Sequence, residues 1–323
     1  MTVDALSSID VSGAAVAIRS MALRTPLIRS DFLGRLTGGM VYLKLENLQR
    51  TGSFKVRGAA FRLLSLSPDE RQAGVITCSS GNHGRAIAHL ARRLHVEATV
   101  CVPTWVDPVK LEAIRREGAQ VDREAPSYDD AERRALELGR ERGLTFVHPF
   151  DDRHVLAGQG TLGWEVIEDR PDVDTIVAPL SGGGLVGGIA IGLRQAGHTC
   201  TVAAVSARNA GAMVASLSHG SPVEIAEEPT VASALSGGIG LENRYTFEAV
   251  RGLVTEHEIV AEGEIVKAMT LLAERHRLIV EGGGATGVAG VLKNPDHYRG
   301  KNTAVIVSGG NITVKDWLRL VAT

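Results

Sequence analysis

Three short runs of β-branched and small apolar residues are each closed by a turn rich in glycine, serine and asparagine. This punctuation limits the fold more than any other feature of the chain. Gly74-Val-Ile-Thr-Cys78 runs into Ser79-Ser-Gly-Asn-His-Gly84, Thr175-Ile-Val-Ala-Pro-Leu180 into Ser181-Gly-Gly-Gly184, and Ala304-Val-Ile-Val-Ser308 into Gly309-Gly-Asn311. Short continuous apolar runs of this kind read as strands covered on both faces. The first two turns open helix-like stretches, Arg85–Arg93 and Val186–Arg194. Alternating strands and helices predict an α/β fold with open, twisted, mostly parallel sheets. Ligands of such sheets collect beyond the carboxyl ends of the strands, so all three turns are candidate binding loops.

Further strands are predicted at Met40–Leu45, where polar and apolar residues alternate, and at Ala98–Val102, Ala119–Asp122, Leu144–His148 and Thr201–Val205. Asp107–Glu117 reads as a helix, and Tyr128–Arg142 as a surface helix of dense mixed charge. A chain of 323 residues tends to form two domains. The expected division is a large domain of residues 1–67 and 149–323 and a small domain of residues 68–148, with the active site in the cleft between them. The 37 glycines, with aromatics at only 4%, suit tight layers with ligand loops lined by backbone.

The net charge of −2 gives no reason to expect nucleic acid or an anionic membrane as a partner. No apolar run approaches the roughly 18 residues of a membrane span. The first residues include acids and no basic segment ahead of an apolar run, so no signal peptide is expected. Cys78, Cys101 and Cys200 are odd in number and widely spaced, which argues against a disulfide framework and for a reducing, cytoplasmic setting.

One lysine stands out against this frame. Thr51-Gly-Ser-Phe-Lys-Val-Arg-Gly-Ala59 places Lys55 among small residues, directly after Phe54. Burial favours the neutral amine of a lysine, which is then a nucleophile able to form a Schiff base with an aldehyde. Ser181–Gly184 follows a strand and opens a helix whose first amides lack intrahelical partners, so it is a candidate phosphate cradle. A glycine triplet alone serves equally well as a packing turn. Ser79–Gly84 suits a carboxylate or a phosphate, or simple capping. No second histidine or carboxylate stands at metal-ligand spacing from His83, so a zinc site is not expected.

Taken together, Arg24-Thr-Pro-Leu27, Lys44-Leu-Glu-Asn47, Ser53-Phe-Lys-Val-Arg-Gly58, Ser79–Gly84, Ala157-Gly-Gln-Gly160, Ser181–Leu185, Gly238-Ile-Gly-Leu241 and Ser308–Asn311 resemble the fold-type II pyridoxal-phosphate enzymes. Within them the likeness is to the threonine/serine dehydratase and serine racemase branch, and it covers nearly the whole chain in the family's order. The resemblance implies a fold like that of the tryptophan synthase β chain, with pyridoxal 5'-phosphate as cofactor and a homodimer as the assembly. It implies that Lys55 forms the Schiff base, that Phe54 lies beside the cofactor ring, and that Asn82 bonds its phenolic oxygen. Gly182, Gly183, Gly184 and Leu185 would give amides to the phosphate. Ser308 would meet the ring nitrogen and, being no acid, leave it largely unprotonated, which favours β-elimination over transamination. Ser79, Ser80, Gly81, Asn82 and His83 would hold the substrate carboxylate, and Ser80 matches the second base of serine racemases.

The resemblance also has departures. Ser181 stands where many relatives have a fourth glycine, and it can still cap the loop. Ser206-Ala207 and Ala212 replace the acids that bind a divalent cation in many relatives, so no metal is expected there. Twelve residues follow Asn311, where biosynthetic threonine deaminases carry a long regulatory extension, so a catabolic type is expected. Ala234–Phe247 looks like the dehydratase-like proteins of hydroxyectoine utilisation. The implied reaction removes water from a β-hydroxy amino acid of the L-threonine or L-serine type, leaving a 2-oxo acid and ammonia. A serine or hydroxyaspartate racemase and a non-catalytic pyridoxal-phosphate- or nucleotide-binding protein are the alternatives. Arg208 and His83 are candidate partners for a second substrate carboxylate.

Overall fold

The computed structural model describes residues 3–79 and 81–322. In chain order its strands are β1 (Leu27–Arg29), β2 (Met40–Leu45), β3 (Val75–Cys78), β4 (Ala98–Pro103), β5 (Gln120–Ala125), β6 (Thr145–Phe146), β7 (Thr175–Pro179), β8 (Thr201–Ala207), β9 (Glu256–Val260) and β10 (Asn302–Val307). They form two sheets. The larger runs β1-β2-β10-β7-β8-β9, and the smaller β5-β4-β3-β6. Every pairing is parallel except that of β1 with β2. The α/β fold with two mostly parallel sheets is therefore as expected.

The interior strands carry the apolar runs. All residues of β3, β4 and β7 are buried, and helices cover both faces of each sheet, which is why no alternation with solvent survives in them. Val56, Ala60 and Leu63 of the helix Lys55–Leu64 pack with Ala86, Ile87 and Leu90 of the helix Asn82–Leu94 and with Val75 and Val100 of the smaller sheet. Each large aliphatic side chain removed from water in this way contributes about 1.5–3 kcal/mol. The helix that starts at Lys55 is thus wedged between the two sheets, with its first residue at the cleft.

The alternating run Met40–Leu45 is a strand, and all of it after Met40 is buried. Lys44 is fully buried. Its ammonium lies 2.7 Å from Glu165 and donates to the Thr25 carbonyl at 2.8 Å. Arg57, also buried, bridges Glu46 at 2.8 Å and Glu165 at 2.7 Å. Two cations and two carboxylates therefore close a buried network behind the Lys55 helix. Deleting one member would leave an uncompensated charge, at a cost of about 3–5 kcal/mol. This explains Lys44, Glu46 and Arg57 within the two motifs as structural residues. Among the described residues no helix is long and apolar enough to cross a membrane.

Candidate active site

Strand order brings the candidate residues together. β2, β10 and β7 are adjacent and parallel, so their carboxyl ends share one edge of the larger sheet. The chain after β2 leads to Lys55, that after β10 begins with Ser308, and that after β7 is the 181–184 turn. Backbone bonds fasten the first two to each other: the Phe54 amide donates to the Ser308 carbonyl at 3.1 Å and the Gly310 amide to the Gly52 carbonyl at 2.9 Å. From the smaller sheet, the turn after β3 delivers Ser79, Gly81, Asn82 and His83 to the opposite wall. One cleft is lined by Phe54, Lys55, Asn82, Gly182–Leu185 and Ser308 together. Ser80 lies outside the described residues.

Lys55 donates from Nζ to the Pro149 carbonyl at 2.8 Å, and its ammonium sits 5.4 Å from the centre of the Phe54 ring. Burial in the cleft pulls its pKa down to about 8, with Cys78 acting weakly the other way. A larger fraction of neutral amine at neutral pH is what a Schiff-base lysine needs. His83 is buried with Nε2 3.4 Å from the Val147 carbonyl. Burial first, and then the Lys55 charge, hold its pKa well below the ordinary value, so it is neutral.

The 181–184 turn opens the helix Gly184–Gln195. Gly183 sits at φ +83°, in the left-handed region that glycine tolerates best. A Cβ on Gly182 would lie 2.5 Å from the Phe150 ring, and one on Gly184 would lie 2.9 Å from the Phe150 Cβ. Phe150 thus fills one side of the turn, while the amides of Gly182, Gly183, Gly184 and Leu185 pair with no acceptor among the described residues. Open amides, a helix N-terminus and no side chain in the way fit a bound phosphate. Ser181 does not cap the helix; its hydroxyl donates to the Leu235 carbonyl at 2.7 Å and ties the turn to the 233–236 segment.

Ser308 donates to the Gly283 carbonyl at 3.2 Å, so meeting an unprotonated ring nitrogen requires that hydrogen to rotate. Ser79 Oγ accepts from the amides of Gly81 (3.0 Å) and Gly84 (2.8 Å) and so braces its own loop. Asn82 is held on both ends. Nδ2 donates to Glu281 Oε1 at 2.7 Å, and Oδ1 accepts from Asn311 Nδ2 at 2.7 Å. One Nδ2 hydrogen remains for a ligand oxygen. Arg208 is exposed and lines none of this cleft, which removes it as a partner for a second carboxylate.

Sequence reasoning missed several contributors. Glu281 is buried, and burial raises its pKa. It opens Glu281-Gly-Gly-Gly284, a second triplet whose likeness to the first was a signal available in the sequence. Asp151 accepts from the amides of Arg244, Tyr245 and Thr246 at 2.6–2.8 Å and pins the segment bordering the cleft. Pro149 and Tyr128 carried no signal in the sequence. Their place in the cleft depends on how the two sheets pack. No group of three or more metal-ligating side chains gathers among the described residues.

A family profile for pyridoxal-phosphate dependent enzymes matches residues 18–309. The chain belongs to that family. It is 40% identical over 305 residues to the L-threonine ammonia-lyase of Thermotoga maritima, covering 94% of this chain and 75% of the relative. It is 38% identical over 307 residues to the catabolic L-threonine dehydratase TdcB of Staphylococcus aureus, covering 94% and 88%. Its structure superposes on maize serine racemase with a TM-score of 0.89 at 29% identity, covering 96% of this chain and 94% of the other. The chain falls in the threonine/serine dehydratase and serine racemase branch, its cofactor is pyridoxal 5'-phosphate, and its enzyme class is a pyridoxal-phosphate-dependent lyase.

Proposed function

We propose that this enzyme removes water from a β-hydroxy amino acid of the L-threonine or L-serine type, releasing a 2-oxo acid and ammonia, and that it is of the catabolic type. The observation that carries the reading is the pairing in one cleft of an amine with a pKa of about 8 and four open amides at a helix start, with a serine rather than an acid after β10. The names of the threonine ammonia-lyase and threonine dehydratase relatives support the substrate class.

In this proposal Lys55 binds the cofactor aldehyde, Phe54 flanks its ring, and Asn82 reaches its phenolic oxygen. Gly182, Gly183, Gly184 and Leu185 cradle its phosphate, and Ser308 faces its nitrogen. Pyridoxal phosphate supplies an aldehyde that captures amines and a ring that spreads negative charge away from Cα. The protein's own part is positional and basic. The Ser79, Gly81, Asn82 and His83 turn, with Ser80, orients the substrate carboxylate. The Lys55 amine would be the base that takes the Cα proton. Neutral His83 adds no competing positive charge beside it. Buried side chains around the cleft exclude water until the β-hydroxyl has left.

The reading extends to a homodimer in the cytoplasm, with residues 1–67 and 149–323 as the large domain and 68–148 as the small one. The Ala234–Phe247 stretch supports a place in hydroxyectoine breakdown. The likeness to maize serine racemase favours racemisation as the second reading.

The test is 2-oxo acid formation by the holoenzyme over a panel of β-hydroxy amino acids, with chiral analysis of the recovered substrate. We expect keto acid from L-threonine or L-serine, and a loss on the order of 10³ or more in Lys55→Ala together with its visible Schiff-base absorbance. Net D-amino acid with little keto acid would sink the lyase reading in favour of the racemase.

A further inference from the structure

Most polar side chains lining the cleft are already committed to the protein. Ser79 braces its loop, Asn82 is fixed between Glu281 and Asn311, Ser181 donates to Leu235, and Ser308 donates to Gly283. Lys110 donates to Ser233 Oγ at 3.1 Å. Besides Lys55, spare capacity remains at one Asn82 Nδ2 hydrogen, two Lys110 ammonium hydrogens, His83 Nδ1, the Tyr128 phenol and the Ser236 hydroxyl, and of these only the Tyr128 phenol is a neutral donor on a rigid buried ring. With its Nε2 turned to the Val147 carbonyl, neutral His83 offers only an acceptor at Nδ1, so it cannot donate to a substrate oxygen.

Tyr128 is a donor held in place. It is the first residue of the helix Tyr128–Arg142, is 7% exposed and packs in the cluster that includes Cys78, Cys101 and Leu138. A Cβ on Gly237, which sits at φ +107°, would lie 2.8 Å from the ring, so glycine there lets the ring close on the 236–238 segment. The phenol's partner is the Cys78 thiol at 3.6 Å, a long contact to a weak sulfur acceptor, which the phenolic hydrogen can leave for a better acceptor in the cleft. Tyr128 and Lys55 line the same cleft, so the phenol and the amine face one space. Burial, then the neighbouring Cys78 and Glu132, hold the phenol well above its ordinary pKa, so it is a neutral donor and keeps its proton.

We infer that Tyr128 is the specificity-determining residue for the substrate side chain, donating a hydrogen bond from its phenol to the β-oxygen. The assignment rests on the dehydratase reading given above and names the atom that selects hydroxy amino acids within it. A buried donor left unpaired is penalised, so substrates without a side-chain acceptor are disfavoured.

The test compares L-serine with 3-chloro-L-alanine, which has a similar size and a poorer acceptor, on the wild-type holoenzyme and on Tyr128→Phe and Ser236→Ala. Tyr128→Phe should lower kcat/KM for L-serine at least about fivefold and leave that for 3-chloro-L-alanine within twofold. Turnover of the chloro compound also serves as the control for folding and cofactor loading. Ser236→Ala should leave the ratio of the two substrates unchanged. An equal fall for both substrates in Tyr128→Phe, no fall, or a change of ratio confined to Ser236→Ala overturns the assignment. A wild-type enzyme that eliminates from 3-chloro-L-alanine and from no hydroxy amino acid overturns the dehydratase reading as well. An active wild type with an indifferent Tyr128→Phe overturns this assignment alone.

Discussion

Two glycine triplets open helices in this molecule, Gly182–Gly184 and Gly282–Gly284, and their environments are opposite in kind. The first lines the Lys55 cleft, with Phe150 packed against it and its amides without acceptors among the described residues. The second is pressed against other chain segments. A Cβ on Gly282 would lie 2.2 Å from the Val231 carbonyl oxygen, and one on Gly284 would lie 2.0 Å from that of Gly309. The first triplet leaves backbone open to the cleft, whereas the second lets backbone approach backbone. The two are coupled in service of one site, because Gly283 accepts from Ser308 and Glu281 holds Asn82. Absence of a side chain is thus a single chemical fact with two physical uses, and only the neighbour decides which applies.

The largest expected effect bears on the second triplet. Gly284→Ala forces a methyl into a backbone oxygen that cannot move without dislodging the 308–311 turn. It should cost about 3 kcal/mol, measured by urea unfolding of the apoprotein. A loss below about 1 kcal/mol would break the contrast, since Gly284 would then tolerate a side chain.

The next bears on the first triplet. Apoprotein should take up pyridoxal 5'-phosphate at least about 100-fold more tightly than pyridoxal, a difference of about 2.7 kcal/mol, because only the former has a phosphate for the open amides. Equal affinities would mean that Gly182–Gly184 is a packing turn like its counterpart.

The smallest sharpens where the ligand side begins. Only the neutral Lys55 amine attacks an aldehyde, and its pKa lies at about 8. Below that value the rate of Schiff-base formation should rise about tenfold per pH unit, and above it the rate should level off. An ordinary lysine would keep gaining until about 10.4. A rise continuing through pH 10, followed by visible absorbance, would show a cleft wetter than the one that distinguishes the first triplet from the second.

Much of this arrangement was legible before folding. The runs that became β3, β4, β7, β8 and β10 are continuous, β-branched and bounded by turn residues, because strands covered on both faces have no polar face to show. Lys55 and the first triplet were visible because each breaks its local pattern. β1 and β9 were not read, since three residues in one and polar residues in the other leave no period to detect. The burial of Lys44 could not be read, because its charge is neutralised by Glu165, 121 positions away. Asp151 and Glu281 are ordinary acids in sequence, and their roles come from the amides and the amide side chain they meet in the folded chain.

By itself, then, the order of residues determined the α/β class and singled out Lys55 and the loops around it, because strand periodicity, glycine turns and a lysine among small residues are local properties. Tertiary structure alone decided which glycine triplet lines the cleft, which acids brace it, and that Tyr128 shares that cleft with Lys55. Those outcomes depend on how the two sheets and the helices around them pack and on which backbone fills each gap, and neither is encoded within any one segment.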